Sequence, residues 1–211
     1  MTMTLYGMGH SRSFRCLWAL EEAKLDYSFV NLDLSSAEDD GSKSPSYLKL
    51  NTQGKVPTLV HDDFVLIESA AIVNYISACS DKTFIPQAPQ ERAKYDELAF
   101  FVLAELEQPL WTTGKHKFAI PAEHRVPEVL ETAKWEFQKA LNTLPSLCSI
   151  TASPNEQGGY ALGGEFSFAD ILLAQTFNWA DRFKFDVPKV YLDYRDAMYS
   201  RPAAKKALEY C

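Results

Sequence analysis

Three residue groupings within positions 54–72 have the types and spacing to hold a small peptide-like anion. In Gly54-Lys55-Val56-Pro57-Thr58-Leu59-Val60, a proline stands directly before a β-branched run, where a cis prolyl bond would set a tight turn at a strand entrance. Val56 would then offer both its N–H and its C=O to an extended ligand. Phe64-Val65-Leu66-Ile67 reads as a second short strand, folded back by a turn at Asp62-Asp63, and Glu68-Ser69 follow immediately. Ser69 suits the N-cap of a helix over residues 70–76, whose positive end attracts a carboxylate, and Glu68 suits an ammonium. A ligand with an α-amino acid head and a peptide-like middle satisfies all three devices, which no free amino acid or simple anion does.

The elements that must position these groups alternate in type. Residues 3–7 read as a strand, 14–25 as a helix and 27–32 as a strand, ahead of the proline-centred hairpin and its helix, a βαβ then ββα order. In the first helix Phe14, Leu17, Trp18 and Leu25 recur at helical spacing, which places Arg15, Glu21, Glu22 and Lys24 on a polar face. Residues 33–47 have loop composition. Pro86 and Pro89 mark a linker, and the helical patterns beyond it cover 91–111, 129–144 and 170–183. The expected division is a domain at 1–80, a linker at 81–90 and an all-α domain at 91–211. Ser167-Phe168-Ala169-Asp170 has the form of a capping box, a folding signal that accounts for Asp170 better than a catalytic role does.

With 211 residues and 46% hydrophobic content the chain has ample material for packed cores. A net charge of -7 with scattered Lys and Arg weighs against nucleic acid and anionic membrane surfaces as partners. No apolar run approaches the roughly 20 residues that cross a bilayer. Met1-Thr2-Met3-Thr4-Leu5-Tyr6 lacks the basic and apolar regions of a leader, so a cytoplasmic protein is expected. Cys16, Cys79, Cys148 and Cys211 form no C-x-x-C pair, which fits reduced, independent thiols and no metal site.

Taken together, Asn51-Thr52-Gln53-Gly54-Lys55-Val56-Pro57, Glu68-Ser69-Ala70-Ala71-Ile72, Phe166-Ser167-Phe168-Ala169-Asp170 and Arg201-Pro202-Ala203 resemble the glutathione transferase superfamily along the whole chain. The resemblance implies an α/β, thioredoxin-like N-terminal domain followed by an all-α C-terminal domain. It also implies that Val56, before cis-Pro57, pairs with the cysteinyl backbone of glutathione, while Glu68 and Ser69 hold the γ-glutamyl end. Gln53, Lys55 and Lys43 are the candidates for the glycyl carboxylate, with a solvated loop residue as the competing reading of Lys43. Glutathione would act as a co-substrate, with no bound cofactor and no metal, and the protein would be a homodimer.

A free thiol has a pKa near 8.5, and only its anion is the nucleophile. Lowering that value by about two units takes roughly 2.7 kcal/mol, within reach of one hydroxyl donor and a helix N-terminus together. Ser11, in Ser11-Arg12-Ser13-Phe14-Arg15, is similar to the serine of theta-like and zeta-like members and is the expected donor, with capping as its structural role. Tyr6, where other classes keep a tyrosine, is the runner-up. Beta-like members use a cysteine near the position of Arg12, which disfavours mixed-disulfide chemistry, and Cys16 reads as a packed hydrophobe. The resemblance points to helix 91–111 for the electrophile, and of its aromatic neighbourhood, Phe100, Phe101, Trp111 and Phe118, Trp111 is singled out. The function implied is conjugation of the glutathione thiolate to small, mostly apolar electrophiles. The alternatives are glutathione-dependent peroxide reduction or isomerisation, or a non-catalytic binding module.

Overall fold

The computed structural model describes residues 2–150 and 159–211, which fall into two compact units, Met1–Phe84 with Ser200–Cys211, and Ile85–Tyr199. In the first unit β1 (Met3–Gly7) is the strand that buries alternate side chains, and it lies inside a four-stranded sheet of order β2-β1-β3-β4. β2 (Tyr27–Asn31) runs parallel to it, β3 (Thr58–His61) antiparallel, and β4 (Phe64–Ile67) antiparallel to β3. The register sets Leu5 opposite Phe29 on one side and Leu59 on the other. Asp62 and Asp63 make the hairpin loop between β3 and β4, with Asp62 at a φ of 52°, the left-handed backbone that such loops require.

Helix α1 (Ser13–Ala23) is the crossover from β1 to β2. It stops before residue 25 because Lys24 turns left-handed, and its N–H closes the end onto Glu21 and Leu20 carbonyls. Phe14, Leu17 and Trp18 are buried, as the pattern predicts, while Leu25 falls beyond the helix and is half-buried; of the expected polar face only Lys24 is exposed. Arg15 is fully buried, and Glu21 and Glu22 are nearly so, with side chains 8% and 10% exposed. The cause lies in the last residues described. Helix α9 (Pro202–Leu208) buries Ala204 and Ala207 in this same unit. Arg201 grips Glu22 in a forked pair at 2.6 and 2.9 Å, and Lys206 meets Glu21 at 2.8 Å. Residues 200–211 therefore group with the sheet unit, and not with the helical segment to which the sequence reading assigns them.

A short helix, α2 (Pro45–Leu50), interrupts the loop expected over 33–47. Ser44 accepts the Tyr47 N–H and Pro45 occupies the first turn, where its missing N–H costs nothing. Helix α3 (Ser69–Cys79) begins one residue earlier than expected and packs Ile72, Val73 and Ile76 into the core.

Among the described residues, the regular structure of the second unit is helical apart from an isolated bridge at Tyr160 and Gly163. Helices α4 (Pro89–Phe101) and α5 (Glu107–Gly114) form one path through a widened, π-helical turn at Val102–Leu106. Pro109 follows that turn closely; inside a helix its ring presses on the preceding carbonyls and it donates no hydrogen bond, so a widened turn just before it relieves the conflict. Helices α6 (Val129–Thr143), α7 (Phe168–Arg182) and α8 (Lys189–Tyr199) complete the unit, with Phe168, Ile171, Leu172, Leu173 and Phe177 of α7 in the core.

The expected capping box is present. Buried Asp170 accepts the Ser167 N–H at 2.8 Å and hydroxyl at 3.0 Å, the Ala161 N–H at 2.8 Å and the Tyr194 hydroxyl at 2.7 Å. Burial pushes this carboxyl up, against the four donors that favour its anion. Asp170→Ala would leave those buried donors without an acceptor and is expected to cost about 3–5 kcal/mol, read as a fall in the urea unfolding midpoint.

Candidate active site

The turn before β3 is held from one side by the end of α2. Tyr47 donates its hydroxyl to the Lys55 carbonyl, and Asn51 Nδ2 donates to the same oxygen at 2.8 Å. Both also reach Thr58 Oγ1, at 2.8 and 3.2 Å, so the two ends of the turn share two side chains. Asn51 Oδ1 takes the Gln53 N–H at 3.1 Å and its carbonyl takes the Gly54 N–H at 2.9 Å. Gly54 sits at a φ of 57°, the left-handed region that favours glycine. Lys43 Nζ donates to the Gly54 carbonyl at 2.5 Å, which brings this exposed ammonium beside Gln53 and Lys55, both exposed as well.

The Val56–Pro57 bond is cis, with Pro57 buried and Val56 half-buried. Among the described residues nothing takes the Val56 N–H or C=O. A main-chain donor and acceptor left open side by side on a clamped turn is the arrangement that an extended peptide pairs with.

At the other end of the hairpin Glu68 takes φ 70° and ψ 111° and its carbonyl accepts the Ile72 N–H at 2.9 Å. Glu68 is therefore the residue that caps α3, and Ser69 is its first helical residue, a correction to the expected order. Freed from capping, the Ser69 hydroxyl turns inward, 3.4 Å from Arg15 Nη1. Cys16 Sγ lies 3.6 Å from the Ser69 carbonyl. Burial pushes the Cys16 thiol far up, so it stays protonated and packs as the hydrophobe the sequence suggests. Glu68 itself is exposed, next to the open N-terminus of α3.

Ser11 stands two residues before α1. Its hydroxyl oxygen is 2.6 Å from the Met8 carbonyl and 2.9 Å from Ser13 Oγ, and it accepts the Ser13 N–H at 3.1 Å. Arg12, and not Ser11, is the cap residue of α1; Ser11 braces the turn just before it and gives its hydroxyl proton to the Met8 carbonyl. Tyr6 is half-buried on β1, its ring centroid 5.9 Å from that of Tyr47. In the helical unit Trp111 is half-buried on α5, whereas Phe100 and Phe118 are 65% and 59% exposed.

Sequence reasoning misses Tyr47, Asn51, Arg15 and Ser13. Asn51 carried a usable signal, since an Asn two residues before a Gln-Gly pair favours a side-chain-bonded turn. The two-residue spacing of Ser11 and Ser13 was another. Arg15 had none, because its partner Ser69 lies 54 positions away.

Family models agree with this architecture. That for "Glutathione S-transferase, N-terminal domain" matches residues 1–78, and that for "Glutathione S-transferase, C-terminal domain" matches residues 87–202. The chain belongs to the glutathione S-transferase family. Among its relatives, glutathione S-transferase 1 of Dianthus caryophyllus is 33% identical over 177 residues, covering 82% of this chain and 74% of that protein. Maleylacetoacetate isomerase of Rattus norvegicus is 30% identical over 179 residues, covering 84% and 77% respectively. A crystal structure of a glutathione transferase homologue from Sulfitobacter with bound glutathione superposes with a TM-score of 0.79 at 24% identity, covering 99% of this chain and 97% of that one. Among the described residues no helix is long and apolar enough to cross a membrane.

The loop carrying Ser11 is also pinned by close backbone contact. A Cβ built on buried Gly9 would lie 2.2 Å from the Tyr210 carbonyl oxygen and 2.7 Å from Cys211 Cα. Tyr210 is itself held by edge contact with the Phe29 ring at 5.2 Å. Gly9→Ala is expected to cost about 1–3 kcal/mol as loop and tail separate, seen as a lower melting temperature. Gly164→Ala, whose added Cβ meets nothing within 4 Å, should leave it unchanged.

Proposed function

We propose that this glutathione S-transferase family member binds glutathione along the clamped turn and the Glu68–Ser69 corner, and adds its thiolate to small, mostly apolar electrophiles. The observation that carries the reading is the open N–H and C=O of Val56 on a turn fixed by Tyr47 and Asn51. A cysteinyl residue in extended form pairs with both groups. The γ-glutamyl carboxylate then meets the N-terminus of α3 at Ser69, its ammonium meets Glu68, and the glycyl carboxylate meets Gln53, Lys55 and Lys43. The protein contributes activation and proximity, and the reaction needs no resident cofactor or metal. Trp111 is assigned to the electrophile's apolar surroundings.

Ser11 is the assigned activator. The thiol loses its proton to solvent, and the Ser11 hydroxyl donates to the resulting sulfur anion. The expected result of Ser11→Ala is a bound-thiol pKa higher by about one unit or more, followed by ultraviolet thiolate absorbance, with kcat/KM lower by about 10- to 100-fold. Tyr6→Phe should change neither by more than about twofold. The opposite pattern would transfer the role to Tyr6.

A second reading, glutathione-dependent isomerisation, draws its support from the rat maleylacetoacetate isomerase, 30% identical to this chain. It uses the same thiolate, which adds to a conjugated double bond and leaves after rotation. Assay of a cis-dienone substrate beside a haloarene electrophile separates the two activities. Peroxide reduction and a non-catalytic binding role would use the same glutathione-facing residues and have no observation of their own.

The assembly proposed is a cytoplasmic homodimer with a detoxifying role. β4 supports the dimer, since Phe64 and Val65 are 48% and 37% exposed on an edge strand, with Phe64 against the Tyr75 ring at 5.2 Å. Light scattering at micromolar concentration should return twice the chain mass, and Phe64→Glu should shift it toward one.

A further inference from the structure

Ser13 is fully buried and its hydroxyl has two neighbours in the Ser11 loop. Ser13 Oγ accepts the Met8 N–H at 3.2 Å and stands 2.9 Å from Ser11 Oγ. Between two hydroxyls either oxygen can donate, but here the surroundings choose. Ser11 carries one hydroxyl proton, and its 2.6 Å approach to the Met8 carbonyl takes it. The proton between the two serines is therefore that of Ser13, and it points at Ser11 Oγ. Two donors then converge on that oxygen, the Ser13 hydroxyl and, at 3.1 Å, the Ser13 N–H.

This arrangement has a consequence once a thiolate arrives. A hydroxyl whose oxygen accepts hydrogen bonds becomes a stronger donor through its own proton. The Ser11 proton is also free to move at small cost. The Met8 carbonyl already accepts the Ser11 N–H at 3.0 Å, so it keeps a partner when the hydroxyl turns away. Gly7 maintains the geometry from β1, because a Cβ there would fall 2.5 Å from Ser13 Oγ and 2.6 Å from Ser13 Cβ.

Building on the thiolate reading above, we infer that Ser13 is a positioning residue that aims and strengthens the Ser11 hydroxyl as a donor to the glutathione sulfur. Ser13 touches no substrate. It acts through Ser11 Oγ, while its bond to the Met8 N–H holds the loop between β1 and α1. The two functions of the one side chain separate in a double-mutant cycle.

The test measures the bound-thiol pKa and the melting temperature for wild type, Ser11→Ala, Ser13→Ala and the double variant, each saturated with glutathione. Ser13→Ala is expected to raise the thiol pKa by about half a unit, with kcat/KM falling about threefold at a pH below that pKa. In the Ser11→Ala background the same change should leave the thiol pKa where it is, while the loss of the Met8 N–H partner still lowers the melting temperature in both backgrounds. Ser13→Thr, which keeps the hydroxyl, should restore the wild-type thiol pKa. The inference is overturned if Ser13→Ala leaves that value unchanged although Ser11→Ala raises it, or if it raises it equally with and without the Ser11 hydroxyl. Should Ser11→Ala itself have no effect on the bound thiol, the thiolate assignment falls and takes this inference with it.

Discussion

The Lys55 carbonyl, shared by the Tyr47 hydroxyl and the Asn51 amide, is the constraint from which the cradle follows. Because the same two side chains reach Thr58, the segment between them cannot drift without breaking bonds at both ends. Most of these donors are buried or half-buried, where an unmade hydrogen bond costs more than it would in water. The open groups of Val56 are thus held in place by contacts that use none of their own bonding capacity. Preorganisation of this kind lowers the ordering cost that a flexible ligand site would otherwise impose.

The same economy governs α1. It carries Ser13 at its start, Arg15 against Ser69 on one side, and Glu21 and Glu22 against Lys206 and Arg201 on another. Tyr27 adds its hydroxyl to Glu21 at 2.7 Å, and Trp18 its indole N–H to Glu22 at 3.0 Å. The two glutamates are thereby enclosed with cations and neutral donors, the condition under which burial of a carboxylate is tolerable. One helix consequently ties the Ser11 loop, the Glu68–Ser69 corner and the returning α9 together within the first unit.

Much of this was legible in the residues. β4 has the bounds that its apolar run and flanking acids predict, the prolyl bond before β3 is cis, and Ser167 and Asp170 form their box. Each of these is a local signal, decided within four or five residues. What was not legible is non-local. Helical spacing puts Arg15, Glu21 and Glu22 on the outer face of α1, and nothing within the helix reports that Ser69 and Arg201 will cover that face. α2 escaped because six residues are too few to display a period within a loop of Ser, Asp and Lys. The clamp on Lys55 depends on where that short helix ends, so it was hidden with it.

The return of residues 200–211 makes the first unit discontinuous in the chain. During synthesis, the sheet and α1 emerge well before Arg201 and Lys206 exist to meet their glutamates, which lie 179 positions earlier in the case of Glu22. For that interval the ribosome-bound chain exposes a helix face whose two carboxylates have neutral donors but no cation, and the loop with Gly9 lacks the backbone it rests against. Completion of the first unit therefore waits on translation of the second, which inverts the usual order in which leading domains mature first.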